Sequence, residues 1–284
     1  MTASWARRSL GRRAFFFLGA ALLALGCSPS PPARASSAGH VEEVSFPEPL
    51  FGRTRRIWIY TPPNYTAAGD SAGLLITFDG PTYLEEILLP RMLDSLITGG
   101  QVAPLVAVLI DNGTGTPRRD DLANRAAFVP WLGDRLLPWV QKRWKVSRDP
   151  RRVILNGSSA GGLGAAYAAF RRPDLFGNVL SQSGAFWRGN ENSNGAPYEW
   201  LTSQFAGAPR KPVRFYLDVG ALETNGALGG AAPSILSANR HLHDALRAKG
   251  YDVTYREVPG GVHAPESWRA RLPAGLTSLA PGQR

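Results

Sequence analysis

The chain of 284 residues carries 32 Lys and Arg against 22 Asp and Glu, a formal net charge of +10, and one cysteine. A single cysteine excludes any disulfide within the chain, so an exported fold must be held by its core. The basic residues are almost all arginine and are scattered without a basic run, which argues against a nucleic-acid partner and leaves an anionic substrate allowed but not implied.

Arg7, Arg8, Arg12 and Arg13 precede an apolar run from Ala14 to Leu25, the pattern of an export signal. The run is too short to span a bilayer as a permanent helix. Arg12-Arg13 also fits a twin-arginine signal, although Gly11 stands where Ser or Thr is usual, so the export route stays open. Leu23-Ala24-Leu25-Gly26-Cys27 resembles a bacterial lipobox, with Ala24 where leucine is most frequent. It predicts a signal over 1–26, cleavage before Cys27, and lipid chains on Cys27 that anchor the protein to a membrane. An ordinary signal with an incidental cysteine is the alternative. Ser28 in place of aspartate tilts the expectation towards the periplasmic side of the outer membrane. Residues 27–40, rich in Ser, Pro and Ala, read as a flexible tether, and 41–284 as one catalytic domain.

Within that domain β-rich runs recur at 56–60, 74–78, 105–110, 153–155, 179–182, 213–219 and 253–258. Residues 83–97, 123–144, 160–171 and 234–249 show apolar spacings of three and four, and Gly250 suits the end of the last helix. This alternation predicts an α/β fold with a mostly parallel sheet and helices on both faces. Ligands in such sheets bind beyond the carboxyl ends of the strands, where 79–80, 111–113, Ser159, 181–184, 220–223 and 261–263 should converge.

Val153-Ile154-Leu155 leads into Gly157-Ser158-Ser159-Ala160-Gly161 and an Ala-rich helix, the strand, nucleophile elbow and helix of an α/β-hydrolase with Ser159 at the apex. A serine hydroxyl needs a base to take its proton and a third group to hold that base, in the chain order serine, acid, histidine. His40 falls in the tether, and His241 and His243 fall on a helix, where they read as solvated side chains rather than a metal pair. His263, after the last strand, is the expected base. Glu223 is the expected acid, with Asp218 as its rival inside an apolar strand. The oxyanion calls for two backbone N–H donors, one from Ala160. Pro81 has no N–H, so the second donor is Gly80 or Thr82. No residue pattern implies a metal or a cofactor.

These residues resemble the enterochelin esterase and esterase D-like serine hydrolases, with the mycobacterial mycolyltransferases as distant relatives. The resemblance runs through 57–63 (IWIYTPP), 77–80 (TFDG), 106–112 (VAVLIDN), 128–144, 156–166 (NGSSAGGLGAA), 172–187 (RPDLFGNVLSQSGAFW), 217–223 (LDVGALE) and 260–272. It implies an ester hydrolase with Ser159 as nucleophile, His263 as base and Glu223 on the acidic position used by part of the family. Val262 between the glycines and His263, Ala264 where aspartate is frequent, and Pro81 depart from the pattern. The chain also has no room for the N-terminal substrate domain of enterochelin esterases, which weighs against a siderophore trilactone.

The expected protein is an exported, lipid-anchored ester hydrolase acting through an acyl-enzyme on a siderophore-type or acylated-carbohydrate ester. An inactive hydrolase-fold binding protein and an acyltransferase are the alternatives.

Overall fold

The computed structural model describes residues 38–48, 53–67, 71–124, 126–190, 197–280 and 282. The expected signal, Cys27 and the tether up to residue 37 lie outside the described residues. In chain order the elements are β1 (His40–Glu48), β2 (Arg53–Thr61), β3 (Gly73–Thr77), α1 (Gly80–Glu85), α2 (Leu89–Thr98), β4 (Leu105–Ile110), α3 (Gly115–Leu122) and α4 (Phe128–Pro130). A π-helical turn (Trp131–Leu136) runs from α4 into α5 (Leu137–Arg143). There follow β5 (Val153–Ser158), α6 (Ala160–Arg171), β6 (Asn178–Gln182), α7 (Trp200–Gly207), β7 (Arg214–Gly220), α8 (Ile235–Ala248), β8 (Asp252–Val258) and α9 (Pro265–Leu279).

The strands form one eight-stranded sheet in the order β1-β2-β4-β3-β5-β6-β7-β8. β2 is antiparallel to both β1 and β4, and every later pair is parallel. Parallel strands are covered on both faces, and β3 to β6 are buried along their whole length. Alternate side chains divide the core in two. Ile57, Ile59, Leu74, Ile76, Val106, Val108 and Leu155 pack with Leu122, Trp131, Leu163, Phe205 and Leu242 from the helices on one face. Trp58, Tyr60, Leu75, Ala107, Leu109 and Ile154 pack with Leu89, Leu93, Leu272 and Leu276 of α2 and α9 on the other.

The expected α/β architecture is the observed one, and β4 and α6 keep the ends expected from the sequence. The single helix expected over 83–97 is two helices, because Leu88 adopts φ 58° and Pro90 opens α2. The helix expected over 123–144 begins at Phe128, after Asn124 at φ 57°. β1, α3, α7 and α9 were not among the expected elements. Because β3 to β8 run parallel, their carboxyl ends line one edge, and there the loops carrying the candidate residues meet.

Candidate active site

Ser159 sits between β5 and α6 at φ 56°, ψ −121°, a left-handed backbone unusual for a residue with a side chain. The strain fits a turn too tight to relax. A Cβ on Gly157 would lie 2.4 Å from the carbonyl carbon of Gly161, so only glycine allows the strand to fold back onto the helix. Gly161 faces β3 instead, where its Cβ would meet the Asp79 carboxylate at 3.2 Å.

The Ser159 hydroxyl lies 3.0 Å from His263 Nε2, and His263 Nδ1 lies 2.7 Å from Glu223 Oε2. Both partners come from loops locked together at their roots, since a Cβ on Gly220 would lie 2.3 Å from the carbonyl oxygen of Gly261. Asp218, the rival acid, is buried in β7 and does not meet the imidazole. It faces Arg271 Nη1 at 3.3 Å and accepts from Gln182 Nε2 at 3.2 Å. Burial pushes the Asp218 carboxyl up to about 6, against the opposing pull of Arg271 and Gln182. Burial also pushes the Glu223 carboxyl up, but hydrogen bonds from His263, Ser183 and the Gly220 N–H outweigh it and hold the group below the ordinary carboxylate range.

Gly80, Pro81 and Thr82 form the first turn of α1, beside the elbow, and Ala160 opens α6. N–H groups in a first helical turn have no acceptor within their own helix, so Gly80, Thr82 and Ala160 each have a donor to offer. The turn before α1 is fixed from two sides. The Asp79 N–H donates to Asn112 Oδ1 at 2.9 Å, and the Asp79 carboxylate takes two hydrogen bonds from Arg118, at 2.6 and 2.8 Å. The bonds to Asp79 raise the Arg118 pKa against its burial, so this cation stays charged.

A cavity of about 460 Å³ opens at this edge, lined by Arg56, Asp79, Pro81, Thr82, residues 111–114, Arg118, Ser158 and Trp268. Arg56 pairs with Asp111 at 3.0 Å. The lining of the cleft therefore includes two guanidinium groups, each already bound to a carboxylate. Trp268, also in the lining, stands edge-on to His263 with ring centroids 5.0 Å apart.

The remaining histidines lie apart from this cluster. His241 bonds Glu199 at 2.7 Å, His243 stacks on Tyr255 at 4.5 Å, and His40 opens β1. Among the described residues no three His, Cys, Asp or Glu side chains come together to hold a metal ion, and no helix is long and apolar enough to cross a membrane. Asn112 and Ser183 fall in loops that the sequence places at this edge, but no sequence feature gives them, Arg118 or Arg271 an individual role. They act on other protein groups across the fold, and no local motif announces that.

The family model described as "Putative esterase" matches residues 49–279. The iron(III) enterobactin esterase of Dickeya dadantii (strain 3937) is 33% identical over 245 residues, covering 80% of this chain and 52% of that protein. The chain thus spans about half the length of this curated relative. Among solved structures, the enterobactin esterase of Shigella flexneri in the presence of enterobactin matches with a TM-score of 0.73 and 28% identity, over 84% of this chain and 59% of that one. A ferulic acid esterase, 18% identical with a TM-score of 0.70, shares the fold over 86% of this chain and 98% of its own.

Proposed function

The chain belongs to the esterase family, and from that premise we propose that it is a serine carboxylic ester hydrolase. The observation that carries this reading is the unbroken hydrogen-bonded series from Ser159 Oγ to His263 to Glu223, built on a strained strand-to-helix turn. His263 Nε2 takes the Ser159 proton as Oγ attacks the ester carbonyl. Glu223 holds the imidazole in the tautomer with Nδ1 protonated and offsets its charge as the imidazolium forms. The negative charge on the carbonyl oxygen is taken by the Ala160 N–H and by a second N–H, from Gly80 or Thr82. His263 then gives its proton to the departing alkoxide, which leaves an acyl group on Ser159. Water, deprotonated by the same imidazole, releases the acid and restores the serine.

For the substrate, the reading is an ester of a siderophore or an acylated carbohydrate. The relatives named for iron(III) enterobactin and the guanidinium groups of the cleft favour the siderophore type. The test is hydrolysis of p-nitrophenyl acetate, a catechol trilactone and a feruloyl sugar by the purified protein beside Ser159→Ala. Turnover lost in the variant supports the serine esterase, and the preferred ester names its class. A folded protein with no turnover and no labelling by a fluorophosphonate overturns it in favour of a binding role.

The same proposal includes export and a lipid anchor on Cys27, supported by the basic and apolar leader and the residues before the cysteine. Radiolabelled palmitate should enter the wild-type protein expressed in a Gram-negative host and be absent from Cys27→Ser. Equal labelling of the two sinks the anchor.

A further inference from the structure

Ser183 lies beneath the catalytic loops, fully buried, at φ 50°. Its Oγ has three partners: Trp268 Nε1 at 3.1 Å, Arg271 Nη2 at 3.0 Å and Glu223 Oε1 at 2.6 Å. An indole N–H and a guanidinium can only donate, and a serine hydroxyl has two acceptor sites and one proton. With both acceptor sites taken, the proton has one direction left, onto Glu223 Oε1. That oxygen also receives the Gly220 N–H at 2.8 Å and faces Arg271 Nη2 at 3.9 Å, so Oε2 is the oxygen turned to His263. Arg271 is 7% exposed and is braced by Asp218 and by the carbonyl of Ser267.

We propose that Ser183 and Arg271 are positioning residues for the Glu223–His263 pair: a hydroxyl whose proton is locked in direction and a buried guanidinium, together fixing the charge and orientation of the carboxylate. The inference rests on the reading of His263 as the base. Around the pair, Arg271 of α9 lies 3.9 Å from Glu223 Oε1 and faces Asp218 of β7 at 3.3 Å, while Arg256 of β8, Tyr216 of β7 and Tyr83 of α1 act on Asp218. Burial pushes both tyrosines up, so they stay neutral. The Ser183 O–H dipole and the Arg271 charge both oppose entry of a proton anywhere in the pair. Removing either therefore raises the pair's apparent pKa, and the active form, with Glu223 ionised and His263 neutral, is lost at a higher pH.

The experiment is an NMR titration of the His263 imidazole in the wild type, Ser183→Ala, Ser183→Gly, Arg271→Met and Arg271→Lys, with His263→Ala to assign the signal. The pH profile of kcat/KM on p-nitrophenyl acetate is measured in parallel, with Ser159→Ala as control. Ser183→Gly removes the hydroxyl and also relieves the positive φ, so loss of the oxygen is separated from damage to folding. The expected result is a displacement to higher pH of the acid limb of kcat/KM in both Ser183 variants and in Arg271→Met. kcat should fall about 10- to 100-fold at unchanged KM, and Arg271→Lys should recover most of the shift. A titration and acid limb unchanged in folded Ser183→Gly overturn the inference even where Ser159→Ala is inactive. An active Ser159→Ala contradicts the reading of Ser159 as nucleophile by itself, while the titration still tests the Ser183 contact.

Discussion

Ser159 carries two costs at once: a backbone held at φ 56° and a hydroxyl that is a poor nucleophile until its proton leaves. The first amounts to about 1–3 kcal/mol, borne by the packing around the turn. In the proposed mechanism the second is met by His263, 3.0 Å from the hydroxyl, whose own orientation depends on a carboxylate. Two buried carboxylates stand close by, and their contacts separate their roles. Glu223→Gln should lower kcat on the order of 10³-fold, because the amide can hold the wrong imidazole tautomer. Asp218→Asn, which leaves the His263 contact intact, should cost about tenfold or less, through Arg271. Steady-state kinetics of the two variants check this, and a larger loss in Asp218→Asn would transfer the acid role. The pH dependence of stability separates them again. With a folded pKa raised to about 6, Asp218 binds its proton more tightly in the native state, so its ionisation costs up to about 3 kcal/mol as pH rises from near 4 to near 6. Relative to wild type, the Tm of Asp218→Asn should therefore climb over that window. Glu223, held low, acts in the opposite sense: its contribution is present above the unfolded value near 4 and is lost as pH falls further.

At the scale of elements, the site depends on close approaches between backbones. Gly157→Ala would push a methyl into Gly161 and should cost about 1–3 kcal/mol by overpacking, with activity falling as the elbow opens. Denaturant melts and kinetics of this variant check both, and a silent substitution would mean that the turn is looser than described. The same scale explains what could be read from the sequence. The buried parallel strands were legible because runs such as Leu105–Ile110 have no use except in a covered sheet, and α6 because its Ala-rich stretch follows the elbow directly. β1 was not, because its edge position leaves Glu42, Glu43 and Ser45 exposed in a strand with only two buried residues and so no apolar run. α3 hides in the highly charged GTPRRDDL, and α9 behind prolines at 265 and 273. Ser159, His263 and Glu223 were legible as candidates by their order after strands, and the structure brings them within hydrogen-bonding distance. Ser183 and Arg271 were not legible, since their contact joins the turn after β6 to helix α9, 88 residues further on.

On the scale of the molecule, one buried cation ties the antiparallel edge of the sheet to the catalytic edge. Arg55 of β2 binds Glu48 through both carboxylate oxygens, at 2.7 and 2.8 Å, and Asp121 of α3 at 2.6 Å, with its guanidinium 4.8 Å from the Trp131 ring. Asp121 accepts from Asn112 Nδ2 at 2.8 Å, and Asn112 holds the Asp79 N–H. The turn that opens α1 is thus linked through four side chains to β1. Arg55→Met removes a cation shared by two buried carboxylates and should destabilise the fold by about 3–5 kcal/mol. Chemical denaturation gives the value, and a loss under about 1 kcal/mol would show the cluster to be dispensable.

In the proposed mechanism ester cleavage passes through an acyl group on Ser159. The direct measurement mixes the protein with p-nitrophenyl acetate, quenches in acid within the first turnovers and maps the digest by mass spectrometry. The expected result is an acetyl group on the peptide carrying Ser159, absent from Ser159→Ala. Sustained turnover with no acyl group on that serine, or with the group on another residue, would contradict it.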